Sequence, residues 1–417
     1  MVPLLAPALG LLLTLCTPAQ AKNKVRHSTV EAPTWAVASV AVDIGTVTAM
    51  KASEGGLILA GQRGIAAVSA DGSVQWTTPL PEAMVRNIST SPDGVAFTAW
   101  TLAGVTDKAK GLNLWAAGQL LDTFRIEGAS VGMLGSDGSL QWQVEAADQH
   151  SLAPPALTGD IVAVNSGEHL TVYARASGAV IANTPMPGAG QHGGSLGGVM
   201  DHATRGEVVP VGQELFTSFF SHLVKFDHQG NLVDKEFMAG LTPYSNITCG
   251  PVLIDELVVF GTTGDQNVKS GYFAMKPDMK NKWKTWSPDE QSGCGDMVLE
   301  GDMVYASSNF WVVAFDSKGK IAWESVNKKG GLYPSANRGL RYIGNFATRK
   351  TYGDLLAVGG GRVFVATKNG HDVITVLDAD SGAYIKTLDV NETLVSMAVV
   401  GDTLAVATSE GLRLKSL

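Results

Sequence analysis

The feature that most constrains this chain is a short run that returns along it. Ser69–Trp76 reads "SADGSVQW", Gly135–Trp142 reads "GSDGSLQW", and Asp316–Trp323 reads "DSKGKIAW". Each has a turn dipeptide centred on glycine, then an alternating stretch that lands on tryptophan. More short runs flank these, rich in β-branched residues and bounded by glycine, aspartate or asparagine, which are strand signals. "MVYAS" (303–307) is followed by "FWVVAFD" (310–316) and "KGKIAWES" (318–325). "RVFVAT" (362–367) is followed by "VITVLD" (373–378) and "SGAYIKTL" (381–388), and the scheme also runs through 57–78 and 161–184. The 48 glycines have no collagen period and fit a chain full of turns. No segment after the first 21 residues has a convincing helical period.

A repeat of roughly 40–50 residues with four short strands is the signature of a β-propeller blade. Outermost strands start near Val74, Leu140, Val180, Leu232, Lys282, Lys320 and Tyr384, giving seven complete blades. The C-terminus adds three strands of an eighth, "LVSMAVV", "TLAVAT" and "LRLKSL". Its missing strand is supplied by "PTWAVASVAV" (Pro33–Val42), so the two chain ends close the ring and hide two sheet edges. The expected fold is all-β, an eight-bladed β-propeller of four-stranded antiparallel blades spanning 33–417, with seven blades as the alternative. In the repeat, Asp-Gly or Ser-Gly makes the turn between third and fourth strands. Trp76, Trp142 and Trp323 are expected to pack between blades rather than to form a ligand cage.

"VLDADSGAYIKTL", "VYARASGAVIA" and "AFDSKGKIAW" resemble the repeats of the pyrroloquinoline quinone (PQQ)-like propeller superfamily. The resemblance covers nearly all of the chain after the N-terminal segment, and its degenerate motif speaks to fold rather than function. It implies either a PQQ- and calcium-dependent dehydrogenase or a BamB-like assembly scaffold. The length is similar to that of the BamB-like members. The dehydrogenases carry a vicinal cysteine pair, a calcium-binding Glu-Asn-Asp set and an aspartate base, and none of these matches positions in this chain. The two relevant thiols are 45 residues apart. No cofactor is therefore expected.

The N-terminus reads as a targeting segment. An apolar run from Leu4 to Leu15 precedes Ala19-Gln20-Ala21, a small-x-small cleavage pattern, which predicts a signal peptide over 1–21 and an extension over 22–32. The expected destination is the periplasm or the extracellular space. "LTLC" ending at Cys16 looks like a lipobox, but Leu15 stands where a small residue is wanted. The net charge of -8 argues against nucleic acid or an anionic membrane as partner.

Fold does not give function, so the breaks in the repeat matter. Three long irregular segments, Thr101–Ala129, Asn183–Gln213 and Asn327–Gly353, fall in loop classes that open on one face of a propeller. The first carries Trp115 and could add a hairpin. The third holds Lys328, Lys329, Arg338, Arg341, Arg349 and Lys350 without an acidic residue, interleaved with Tyr333, Tyr342, Phe346 and Tyr352. Trp115, Arg338, Arg341 and Tyr342 are the expected contacts for a protein or other macromolecule, with the chain a monomer or part of an envelope complex. A carbohydrate-binding propeller would want exposed aromatics repeated blade by blade.

In the second segment, Gly188–Gly193 matches G-x-G-x-x-G and Gly193–Gly197 matches G-x-S-x-G. Neither has the strand before and helix after that the chemistry requires. His192, Asp201 and His202 lack firm metal-ligand spacing. Cys249 and Cys294 begin the alignable runs "CGPVLIDELVVF" and "CGDMVLEGDMVY". Equivalent places in adjacent blades predict a disulfide, with a thiol metal site as the rival. Asn87, Asn246 and Asn391 open glycosylation acceptor triplets, each expected just before an innermost strand.

Overall fold

The computed structural model describes residues 21–24, 30–32, 35–105, 124–146, 153–166, 168–187, 207–219, 222–237, 247–262, 271–286, 296–307, 311–326, 356–369, 371–408 and 410–417. Among these, every regular element is a strand. The strands form eight sheets, each with an antiparallel set of three or four strands running in chain order outward from an innermost strand, and the N-terminal strands add to the outer edges of three. Blades one to eight span 47–79, 83–145, 156–185, 209–237, 247–286, 296–326, 356–389 and 394–416. Each innermost strand touches the next, and that of blade eight, Leu394–Val400, returns to that of blade one, Val47–Ser53. The ring is closed with eight blades.

Closure works as the sequence predicts. The N-terminal strands are β1 (Ala21–Lys24), β2 (Val30–Glu31) and β3 (Val37–Val40). β3 pairs antiparallel with the last strand, Gly411–Ser416, through Val37–Leu414 and Val40–Leu412. Blade eight is thus built from both ends of the described chain. The extension before it has a structural role that its sequence does not advertise. β1 runs parallel to the outermost strand of blade six, with Ala21–Lys24 opposite Trp323–Val326. β2 runs parallel to that of blade seven, with Val30 and Glu31 opposite Thr387 and Leu388. Those two sheets therefore have five strands.

The core is divided among the seams rather than gathered at one centre. Eight buried clusters occur among the described residues, one between each pair of neighbouring blades. Strand alternation explains this: each middle strand sends successive side chains to opposite faces, and both faces meet a neighbour. Second strands such as Gly56–Gly61 are accordingly buried at every position.

The repeated tryptophan locks four of these seams. Trp76, Trp142, Trp283 and Trp323 each occupy the third place of an outermost strand. Each indole N–H donates to a carbonyl in the turn before the next blade's outermost strand. The acceptors are Ser136 (3.1 Å), Arg175 (2.5 Å), Ser317 (2.8 Å) and Ala379 (2.8 Å). The glycine of that turn lies flat on the ring. At Gly138, with φ +82°, an added Cβ would stand 2.5 Å from Cδ2 of Trp76. The recurring Gly–Trp pair is therefore one contact written into two successive repeats. Trp35 departs from the pattern: it precedes β3, joins the blade seven–eight cluster and lies under the Arg413 guanidinium at 5.6 Å.

Candidate binding face

Antiparallel alternation puts the turns between first and second and between third and fourth strands on one face, which we call lower. The other two loop classes open on the upper face. On the lower face the turns are short and completely described. Several are set by an aspartate whose carboxylate accepts a following backbone N–H, as Asp71 does from Ser73 and Asp137 from Ser139, each at 2.9 Å. The Ser69 hydroxyl and the Ser73 N–H together hold Asp71 down from the ordinary 3.8 to about 2. Asp137, Asp278 and Asp378 are held low by the same kind of bonds, from Ser139, Lys280 and Ser381 respectively. This face is a set of rigid, ionised hairpin tips.

All three long segments leave from the upper face, and their anchor points are fixed. In blade two the second and third strands, Gly94–Val105 and Phe124–Gly135, outrun the blade and pair as far as Val105–Phe124. The first insertion is a hairpin extension at its base, as its sequence suggested. A shallow depression of about 460 Å³ lies below this stem, lined by Thr101, Ser130, Gln143 and Glu145 among others. The second segment departs after Met186 and returns at Val208, both buried in the cluster between blades three and four. Beside it, Asn165 ties the two blades by donating to the Thr217 hydroxyl at 2.8 Å and the Ser218 carbonyl at 3.0 Å. The third segment departs after Val326 and re-enters at Leu356, whose N–H donates to Asp296 Oδ2 at 3.0 Å. Loops carried at fixed points on a rigid frame are the usual location of binding residues.

Of the residues expected to make contacts, Trp115, Arg338, Arg341 and Tyr342 lie outside the described residues, as do Cys294, His192, Asp201, His202 and Asn246. Cys249 is described: it is buried in the blade five–six cluster and sits third in the innermost strand Ile247–Ile254. The innermost strand of blade six begins at Asp296, two residues after Cys294. Asn87 does not precede an innermost strand, as expected from sequence, but lies inside one, Ala83–Ser91. Its amide donates to Thr98 at 3.2 Å. Asn391 is exposed between blades seven and eight.

Sequence reasoning missed one clamp. Blade four has no tryptophan at the third place of Leu232–Phe237. Lys225 Nζ instead donates to the Pro277 carbonyl at 2.9 Å and to Glu214 at 3.0 Å. Pro277 is the turn position that accepts an indole N–H at the tryptophan seams. The only signal was a lysine amid an apolar strand, "HLVKFD".

Among the described residues no group of three or more His, Cys, Asp or Glu side chains could hold a metal ion. Among the same residues no helix is long and apolar enough to cross a membrane. A ring of eight blades whose sequence matches a PQQ-type family model is a PQQ-like β-propeller. More narrowly, the chain belongs to the family described as outer membrane protein assembly factor BamB, whose model matches residues 30–325 and 308–417. Solved structures agree on the fold. BamB from Moraxella catarrhalis is 15% identical, covers 91% of this chain and 96% of its own, and superposes with a TM-score of 0.58. The C-terminal WD40 domain of Sif2 is 10% identical, covers 93% and 99%, and gives 0.61. Sqt1 from Saccharomyces cerevisiae is 11% identical, covers 93% and 100%, and gives 0.60. No curated protein matches the sequence.

Proposed function

We propose that this chain is a non-catalytic scaffold of the cell envelope that holds a protein partner on its upper face. The observation that carries this reading is that three long segments, each anchored at buried or paired residues, all start and end on one face of the ring. The family description, an assembly factor, supports the same class of role. Trp115 in the blade-two insertion and Arg338, Arg341 and Tyr342 in the segment between blades six and seven are the proposed contacts. Aromatic and arginine side chains of this kind dominate protein interfaces. Export through residues 1–21 and independence from PQQ and calcium belong to the same proposal. So does a Cys249–Cys294 bridge that staples blades five and six by about 2–4 kcal/mol. Support for it is positional: the two innermost strands are neighbours.

Photo-crosslinkers at Arg338 and Tyr342 in envelope preparations test the reading. One dominant protein adduct, lost on Arg341→Glu, is the expected result. Saturable PQQ binding with calcium-dependent alcohol oxidation would sink it and restore the dehydrogenase alternative. For the bridge, a mass lower by two hydrogens in the unreduced protein, with the Cys249 and Cys294 peptides joined, is expected. Two freely alkylated thiols would refute it.

A further inference from the structure

Outermost strands of a propeller present an unpaired row of backbone N–H and C=O groups to solvent. Blade four shows the bare state, with Leu232–Phe237 exposed at every position. Blades six and seven differ because β1 and β2 pair with their edges. Under this cover Glu324 and Ser325 are only 4% and 1% exposed, and Thr387 is fully buried. The Ser325 hydroxyl has no hydrogen-bond partner among the described residues. A strand buried for good would favour apolar residues, because covering polar side chains costs free energy. Glu324, Ser325 and Thr387 instead give these edges the polar character of a strand that meets water. The cover is also slight: β1 pairs over four residues and β2 over two. β3, by contrast, completes a blade and contributes Val40 to its core.

We propose that the outer edges of blades six and seven form a docking surface for an extended polypeptide segment aligned parallel to them. β1 and β2 are its resident, displaceable occupants. The incoming segment belongs to the partner of the scaffold reading, so this inference rests on that reading. Release of the strap leaves the ring intact, since β3 stays in blade eight. Parallel pairing through the backbone sets direction, and the edge side chains Glu324 and Ser325 favour a segment with basic and hydroxyl groups. The strap itself fits: Ala21–Lys24 reads AKNK, and Lys22 is the register partner of Glu324.

The test uses the exported chain and a labelled peptide of residues 22–31, so it does not depend on finding the partner. Asn23→Pro with Val30→Pro removes strand-competent backbone from the strap, and Lys22→Glu sets like charge opposite Glu324. Amides of 321–326 and 384–389 should then exchange about ten-fold faster or more, the effect of losing edge hydrogen bonds. Thermal melting of the ring should be unchanged. The peptide should bind both variants, restore protection, and bind the unsubstituted chain at least about ten-fold more weakly, because an intramolecular occupant competes at high effective concentration. Equal binding to all forms, binding to none, or unchanged exchange overturns the proposal. None of those results touches the upper-face reading, which the crosslinking experiment judges separately.

Discussion

At the scale of residues, the Gly–Trp contact explains why the motif persists in so irregular a sequence. Gly138 needs φ +82° and must let the Trp76 ring lie against its backbone. Gly138→Ala therefore meets both a left-handed backbone and a blocked ring, and should cost about 1–3 kcal/mol. Trp323, 1% exposed, fills the seam between blades six and seven, so Trp323→Ala should cost roughly 3–5 kcal/mol through cavity and lost burial. Urea unfolding followed by far-UV circular dichroism measures both, and losses under about 0.5 kcal/mol would mean that the clamp is decorative. The turn aspartates make a pH prediction. Their folded pKa values lie below the ordinary one, with Asp71 at about 2. Such a group stabilises the folded state above the unfolded pKa, near 4, and loses that contribution as pH falls through the folded value. Melting temperature should drop between about pH 4 and pH 2, and Asp71→Asn with Asp137→Asn should flatten that drop. An unchanged slope would place the acid sensitivity elsewhere.

At the scale of elements, the blades are not equally clamped, and Lys225 marks where the code changes. Blades three, four and seven have Ala182, Asp234 and Lys386 where the tryptophan would stand. At the seam between blades three and four Ala182 packs on Gly230 while Thr184 still donates to the Gly230 carbonyl at 2.6 Å. The same hydroxyl bond accompanies tryptophan elsewhere, from Thr78 to Gly138 and from Thr285 to Gly319. At the next seam Lys225 reaches the turn carbonyl that an indole would otherwise meet. Lys225→Met keeps the stem's packing but leaves Glu214 and the Pro277 carbonyl without their donor. It should cost roughly 1–3 kcal/mol and speed exchange in 276–280. A neutral result would mean that water replaces the ammonium at no loss. This clamp also shows where sequence reading stops. Strand number, ring closure and tryptophan burial were legible because a two-residue alternation repeats in every blade and a glycine turn in most of them. Lys225 was not, since its partner lies 52 residues away and no motif links them. β1 and β2 were equally hidden: AKNK and VE carry no strand signal, and a neighbouring edge imposes the conformation. The upper face was legible as a location, because insertions interrupt a period. Its contact chemistry was legible only as composition.

At the scale of the whole molecule, a ring of eight like units must join ends that lie far apart in sequence. Neighbouring blades can associate as they form, but blade eight requires β3 and the last strand to meet across most of the chain. The join is fastened by more than the β3 ladder. Arg413, on the last strand, pairs with Glu392, donates to the Val390 carbonyl at 3.4 Å and lies over Trp35 just before β3. Glu392 also accepts from the Thr408 hydroxyl. One guanidinium thus links the C-terminal strand to the connection between blades seven and eight and to the N-terminal segment. Arg413→Met should cost about 1–3 kcal/mol, because Glu392 would be left partly buried without its cation. The kinetic form of that loss is the sharper prediction. These contacts sit in blade eight, which is complete only when β3 joins it, and that join has the greatest sequence separation and the largest loop-closure cost, so they should form after the rate-limiting step. The substitution should then raise the unfolding rate about five- to a hundred-fold while refolding stays nearly unchanged. Stopped-flow tryptophan fluorescence in urea reads both arms. If refolding slows instead and unfolding does not change, closure belongs to the folding nucleus, and the ring grows outward from the seam where its two ends meet.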